Sequence, residues 1–146
     1  MRTGSFEETV ELILKEDARY DYDAYFFVRE ALDFTVNMLK KPVTGPGRHV
    51  SGAELMEGMR AFALEQFGPL SKRVLNTWGI HGTSDFGEIV FHLVEKGELG
   101  KTESDTRQDF AGGFDFNEAF VRPFQPRAIR TGMTNRRKRG NKARTA

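Results

Sequence analysis

Nine basic side chains crowd the end of the sequence and are its most chemically suggestive feature. Arg122, Arg127, Arg130, Arg136, Arg137, Lys138, Arg139, Lys142 and Arg144 lie within residues 122–146, with no acidic residue among them. Guanidinium and ammonium groups at this density neutralise phosphates and release their condensed counterions, which gives salt-dependent, largely sequence-independent affinity for RNA or DNA. Arginine dominates, and its planar fork can grip a phosphate or stack on a base. The residues expected to contact nucleic acid are Arg127, Arg130, Arg136, Arg137, Lys138, Arg139, Lys142 and Arg144. The competing reading is a solubilising end, or one neutralised by residues 1–121, where 13 basic residues face 21 acidic ones for a net −8. Ile129 and Met133 are too few as apolar anchors, and form no amphipathic stripe, so no membrane partner is expected.

Other residue types yield less. The chain has no cysteine, which excludes a disulfide framework, a thiolate zinc site and a cysteine nucleophile. His49, His81 and His92 are scattered, without HExxH or paired His-carboxylate spacing, so no metal is expected and His92 reads as a structural histidine inside a helix. Asp85-Phe86-Gly87 matches the magnesium triplet of kinases in letters only, since no glycine-rich loop, strand lysine or catalytic loop accompanies it. Asp85 at a helix start instead complements the helix dipole. Neither GxSxG nor GxxxxGK occurs. The expectation is a protein without enzymatic activity or cofactor.

The elements that must position these groups are helices. Ser5 and Glu8 form a capping box ahead of Val10, Ile13 and Leu14, placing a first helix to about Glu16. Tyr20-Asp21-Tyr22-Asp23 turns into a second, with Ala24, Phe27, Val28, Ala31, Leu32 and Thr35 on one face, ending before Pro42. Residues 42–48, with Gly45-Pro46-Gly47, read as a loop. Ser51 and Glu54 form another capping box for a third helix that Gly68 ends, and Pro69 opens a short fourth from Leu70 to Trp78. Thr83 is the expected N-cap of a fifth, with Phe86, Ile89, Val90, Leu93 and Val94 on one face and Gly97 at its stop. The glycine-containing turn between the last two suggests a helix-turn-helix unit. Residues 99–116 could then add a β-hairpin as a wing. A DNA operator is a poor partner for the fifth helix, whose Asp85, Glu88, Glu95 and Glu98 face a single Lys96.

Tyr20, Tyr22, Tyr25, Phe26 and Phe27 cannot all face inward on one helix, which leaves Tyr22 and Phe26 as candidate protein contacts. Phe110, Phe114, Phe116, Phe120 and Phe124 recur among acidic neighbours and are expected to dock back on the helical body.

The words Arg19-Tyr20, Ala24-Tyr25, Ala31-Leu32, His49 to Leu55, Phe67-Gly68, Trp78-Gly79-Ile80, Thr83, Asp85-Phe86-Gly87 and Ile89-Val90-Phe91 together resemble a small family of bacterial proteins known chiefly from Planctomycetes and Verrucomicrobia. The resemblance spans residues 5–120. It implies a bacterial cytosolic protein and brings no catalytic residues with it, as the family carries no assigned activity.

The sequence therefore predicts a mainly α domain of about five helices over residues 1–124, with a winged-helix-like variant open, followed by a disordered basic tail over residues 125–146. The early charges Glu7 and Glu8 argue against a signal peptide, and the expected location is the cytoplasm. The leading function is association with RNA or a ribonucleoprotein through the tail, with the acidic body meeting a protein partner. The alternative is a protein-interaction or regulatory adaptor that uses the acidic body as its contact surface.

Overall fold

The computed structural model describes residues 5–42, 47, 49–99 and 110–126. Five α-helices follow in chain order: α1 (Phe6–Glu16), α2 (Tyr22–Met38), α3 (Gly52–Phe67), α4 (Ser71–Thr77) and α5 (Thr83–Glu95). The protein is mainly helical, with no strand among the described residues.

The helix starts follow local chemistry. Ser5 Oγ accepts from the Glu8 amide at 3.2 Å while Glu8 Oε1 accepts from the Ser5 amide at 3.0 Å. Ser51 and Glu54 repeat this arrangement at α3, and the Asp21 carboxylate caps α2 by accepting from the Asp23 amide. Each satisfies backbone donors that a helix start leaves without an intrahelical partner. Gly68 closes α3 with φ +53°, and a 3-10 turn over Gly68–Leu70, with Pro69 inside it, leads into α4.

At α5 the expected cap moves. Gly82 is the N-cap and Thr83 the first helical residue. The Thr83 hydroxyl is committed elsewhere: it donates to the Phe110 carbonyl at 2.6 Å and accepts from the Gly113 amide at 3.0 Å. Asp85 serves the helix start instead, its carboxylate accepting from the His81 amide at 2.8 Å.

The core centres on α2. Its contact with α3 is the most extensive between helices, and it is close because Gly58 of α3 faces Thr35 of α2, leaving no room for a side chain. The Phe27 ring lies among Phe62, Phe67, Trp78 and Phe86 at centroid distances of 5.4, 6.1, 5.7 and 6.3 Å. Phe86, Ile89 and Leu93 bury the inner face of α5.

The phenylalanine-rich C-terminal segment docks as its pattern predicts. Phe110, Phe116 and Phe120 are buried, with Phe116 5.9 Å from Phe86 and 5.1 Å from Phe120. Residues Asn117–Val121 form a π-helical turn and Arg122–Phe124 a 3-10 turn. The π-helical turn packs against α4. Most of the expected hairpin, residues 100–109, lies outside the described residues.

Candidate nucleic-acid interface

α4 buries Ser71 and Leu75. Its opposite side carries Lys72, Arg73, Asn76 and Thr77, which with Pro69 line an open groove of about 500 Å³. Positions 69, 72, 73, 76 and 77 follow the spacing that puts side chains on one helical face. Residues 66–84 contain no acidic residue. Among the described residues no carboxylate pairs with Arg73. Lys72 Nζ donates to Asn117 Oδ1 at 2.7 Å, so a neutral amide fixes the ammonium group without cancelling its charge. Asn76 Oδ1 is shielded from solvent and has no hydrogen-bond partner. The groove thus offers two positive charges and is lined by a carboxamide whose oxygen is shielded and unmet.

Much of the acidic charge elsewhere is occupied. Arg19 grips Asp17, with Nη2 2.8 Å from Oδ2, and reaches Glu88 Oε1 at 3.4 Å. Lys96 pairs with Glu16 at 3.1 Å, Lys41 with Glu54 at 3.7 Å, and Arg60 with Glu57. The Tyr20 hydroxyl donates to Asp85 Oδ1 at 2.6 Å. Burial, then this hydrogen bond, push the Tyr20 phenol well above its ordinary pKa.

His92 sits between α5 and α2 in the second polar cluster. The Tyr25 hydroxyl lies 2.9 Å from Nδ1, and Nε2 faces Asp17 Oδ2 at 3.5 Å. These partners fit a neutral imidazole that accepts from Tyr25 and turns its Nε2–H toward Asp17. Burial lowers the His92 pKa, with Asp17 opposing, while the Arg19 hydrogen bond keeps Asp17 below the usual carboxylate range. Tyr25 is fully buried, and the cluster acts as a clasp between the 17–21 connection and α5. Among the described residues no group of three His, Asp or Glu side chains gathers as a metal site.

The predicted binding residues divide by position. Arg127, Arg130, Arg136, Arg137, Lys138, Arg139, Lys142 and Arg144 lie outside the described residues. Arg122 lies within them and pairs with Glu118 at 3.3 Å. Tyr22 and Phe26 are half-buried, with ring centroids 4.9 Å apart, and Phe26 meets Phe6 of α1 edge-on, also at 4.9 Å. Of the five late phenylalanines, Phe124 stays exposed, at 46%. The α4 pair leaves little mark on the overall charge, since two cations hardly alter a body total of −8; its trace in the sequence is the local gap in acidic residues over 66–84.

No family model, curated protein or solved structure matches the chain. Among the described residues no helix is long and apolar enough to cross a membrane.

Proposed function

We propose that the protein is a non-enzymatic binder of single-stranded nucleic acid, RNA rather than a DNA operator, anchored by its basic C-terminal run. The observation that carries this reading is the sorting of charge: residues 1–121 total −8 and residues 122–146 total +9. A strand carrying one phosphate per nucleotide would be drawn to the second region and kept off most of the first. Phe124 supports a single strand as the ligand. It is an exposed ring at the start of the basic run, and unpaired bases stack on such rings in a sequence-tolerant way. The arrangement of α5 disfavours groove reading of duplex DNA, since its apolar face is buried and Asp85 and Glu88 are engaged in holding the fold.

The test is fluorescence anisotropy of a labelled uridine homopolymer titrated with the full chain across a salt series. The expected result is affinity that falls steeply with salt and is largely lost when Arg136, Arg137 and Arg139 are changed to Gln. Undiminished binding by that variant, or no binding by the unaltered chain, would refute the proposal. A protein partner that survives nuclease treatment and is retained equally by the variant would instead identify the acidic body as an adaptor surface.

A further inference from the structure

We propose that the α4 groove is a second anchoring point for the same strand, holding one ribose-phosphate unit with its phosphate on Lys72 and Arg73 and its 2′-hydroxyl on Asn76. This inference rests on the nucleic-acid reading above and adds a structured site to it.

Three independent features converge on the groove. The first is charge left available for a ligand. Arg73 is exposed, and among the described residues it has no acidic partner, while Lys72 is held by Asn117 rather than by a carboxylate. Two cations on adjacent positions of one face can meet the oxygens of one phosphate, Arg73 by its fork and Lys72 as a point charge.

The second feature is the Asn76 carboxamide. A shielded acceptor without a donor costs free energy that a ligand hydroxyl can restore. Phosphodiester oxygens only accept, so the phosphate itself cannot serve. The ribose 2′-hydroxyl donates as well as accepts, and DNA lacks it at the same position. Asn76 lines the groove, and binding in this way requires its carboxamide to turn about the terminal bond so that the shielded oxygen meets the ligand. The Thr77 hydroxyl already donates to the Arg73 carbonyl at 2.8 Å and has its own lone pairs left for the sugar.

The third feature is continuity with the basic run. The Asn117 side chain that fixes Lys72 belongs to the π-helical turn packed on α4, and Arg122, the first of the nine basic residues, follows five positions later. The run therefore begins five residues after a side chain that holds the groove's Lys72, which is the continuity between the two.

The deciding experiment uses the full chain with labelled uridine and deoxyuridine homopolymers of equal length, read by anisotropy over a salt series. Lys72→Gln/Arg73→Gln is expected to weaken uridine binding about tenfold and to lower the slope of log affinity against log salt by about 0.7, one phosphate contact's worth for a single strand. Asn76→Ala is expected to reduce the preference for ribose over deoxyribose about fivefold while leaving the slope unchanged. Arg73→Gln alone touches an exposed side chain and keeps the fold, so a weakening in the same direction, smaller than that of the pair, guards against misfolding of the double variant.

A double variant with unaltered affinity and slope, beside an Arg136/Arg137/Arg139 variant that loses binding, would overturn the groove and leave the proposed function standing. Absence of binding by the unaltered chain would remove both. An unchanged ribose preference in Asn76→Ala would overturn the assignment of the hydroxyl to that residue.

Discussion

Gly58→Ala puts the helical scaffold to its sharpest test. A Cβ built on Gly58 would lie 1.7 Å from Thr35 Oγ1, 2.7 Å from Thr35 Cβ and 2.9 Å from Thr35 Cγ2, so α2 and α3 must separate or Thr35 must rotate. Rotation breaks the bond from the Thr35 hydroxyl to the Ala31 carbonyl, 2.7 Å long and buried. Leaving that hydroxyl unpaired costs about 1–3 kcal/mol, and crowding of a packed interface costs about 1–3 kcal/mol. Alanine's helix propensity offsets about 1 kcal/mol of this. The expected net loss is therefore about 1–5 kcal/mol, or on the order of 10 °C in melting temperature at mid-range for a chain of this size. Urea denaturation followed by circular dichroism measures it. Adding Thr35→Ala removes the two contacts at 1.7 and 2.9 Å but keeps the one to Cβ, so the double variant should be more stable than the two single losses added together. A Gly58→Ala protein as stable as the parent would refute the close α2–α3 approach and the packing argument built on it.

Three further outcomes follow from the polar contacts. His92 has its pKa lowered by burial, so as pH falls through about 6.5 the unfolded chain takes up the proton first and stability, fully present above that value, declines; urea midpoints measured from neutral to mildly acidic pH should show the decline, and His92→Gln should flatten it. Tyr20 and Tyr25 have raised pKa values caused first by burial, so their contribution is present below about pH 10 and is lost as pH rises beyond it; in Tyr20→Phe, alkaline unfolding should begin at higher pH, while stability at neutral pH falls by about 1 kcal/mol through loss of the bond to Asp85. Thr83→Val removes both hydrogen bonds to Phe110 and Gly113; hydrogen exchange should quicken across residues 110–124 more than across α2 and α3, with about 1–3 kcal/mol lost.

The helices were legible because their signals are local. Two capping boxes, a glycine at the end of α3 and a proline opening the next turn each act within a few residues, and the structure places α1, α3 and α4 within a residue or so of where those signals put them. Thr83 shows the limit of such reasoning. A threonine ahead of an apolar stripe reads as a cap, yet its hydroxyl is claimed by Phe110 and Gly113, 27 and 30 residues away, a competition that no local window contains. The cluster of Tyr25, His92, Asp17 and Arg19 was invisible for the same reason: sequence suggested a structural His92 and could not name its partners. The docked Phe116 and Phe120 followed from composition, whereas Phe124 remained exposed although its residue type is the same.

Under the proposed function the acidic charge of the body would not oppose a strand uniformly, and the fold determines where it would. Asp17, Glu88, Asp85, Glu16, Glu54 and Glu57 each meet a cation or a hydroxyl within the protein, so their fields are partly cancelled at short range. Glu7, Glu11, Asp23 and Glu30 occupy exposed positions on α1 and α2. Those helices lie in the half of the chain furthest in sequence from the basic run, while α4 carries no acidic residue and is where the π-helical turn packs. A phosphate strand bound as proposed would be repelled by the exposed carboxylates of α1 and α2, and at the α4 face would meet Lys72 and Arg73 beside the exposed Asp115 and Glu118, the latter paired with Arg122. Reversing the sign there isolates the effect. Arg73→Glu in the full chain should slow association with uridine homopolymer most at low salt and leave dissociation less affected, because a charge at the point of approach acts chiefly on the encounter rate. Equal rates for Arg73→Glu and the unaltered chain at every salt concentration would place the strand's approach elsewhere on the surface.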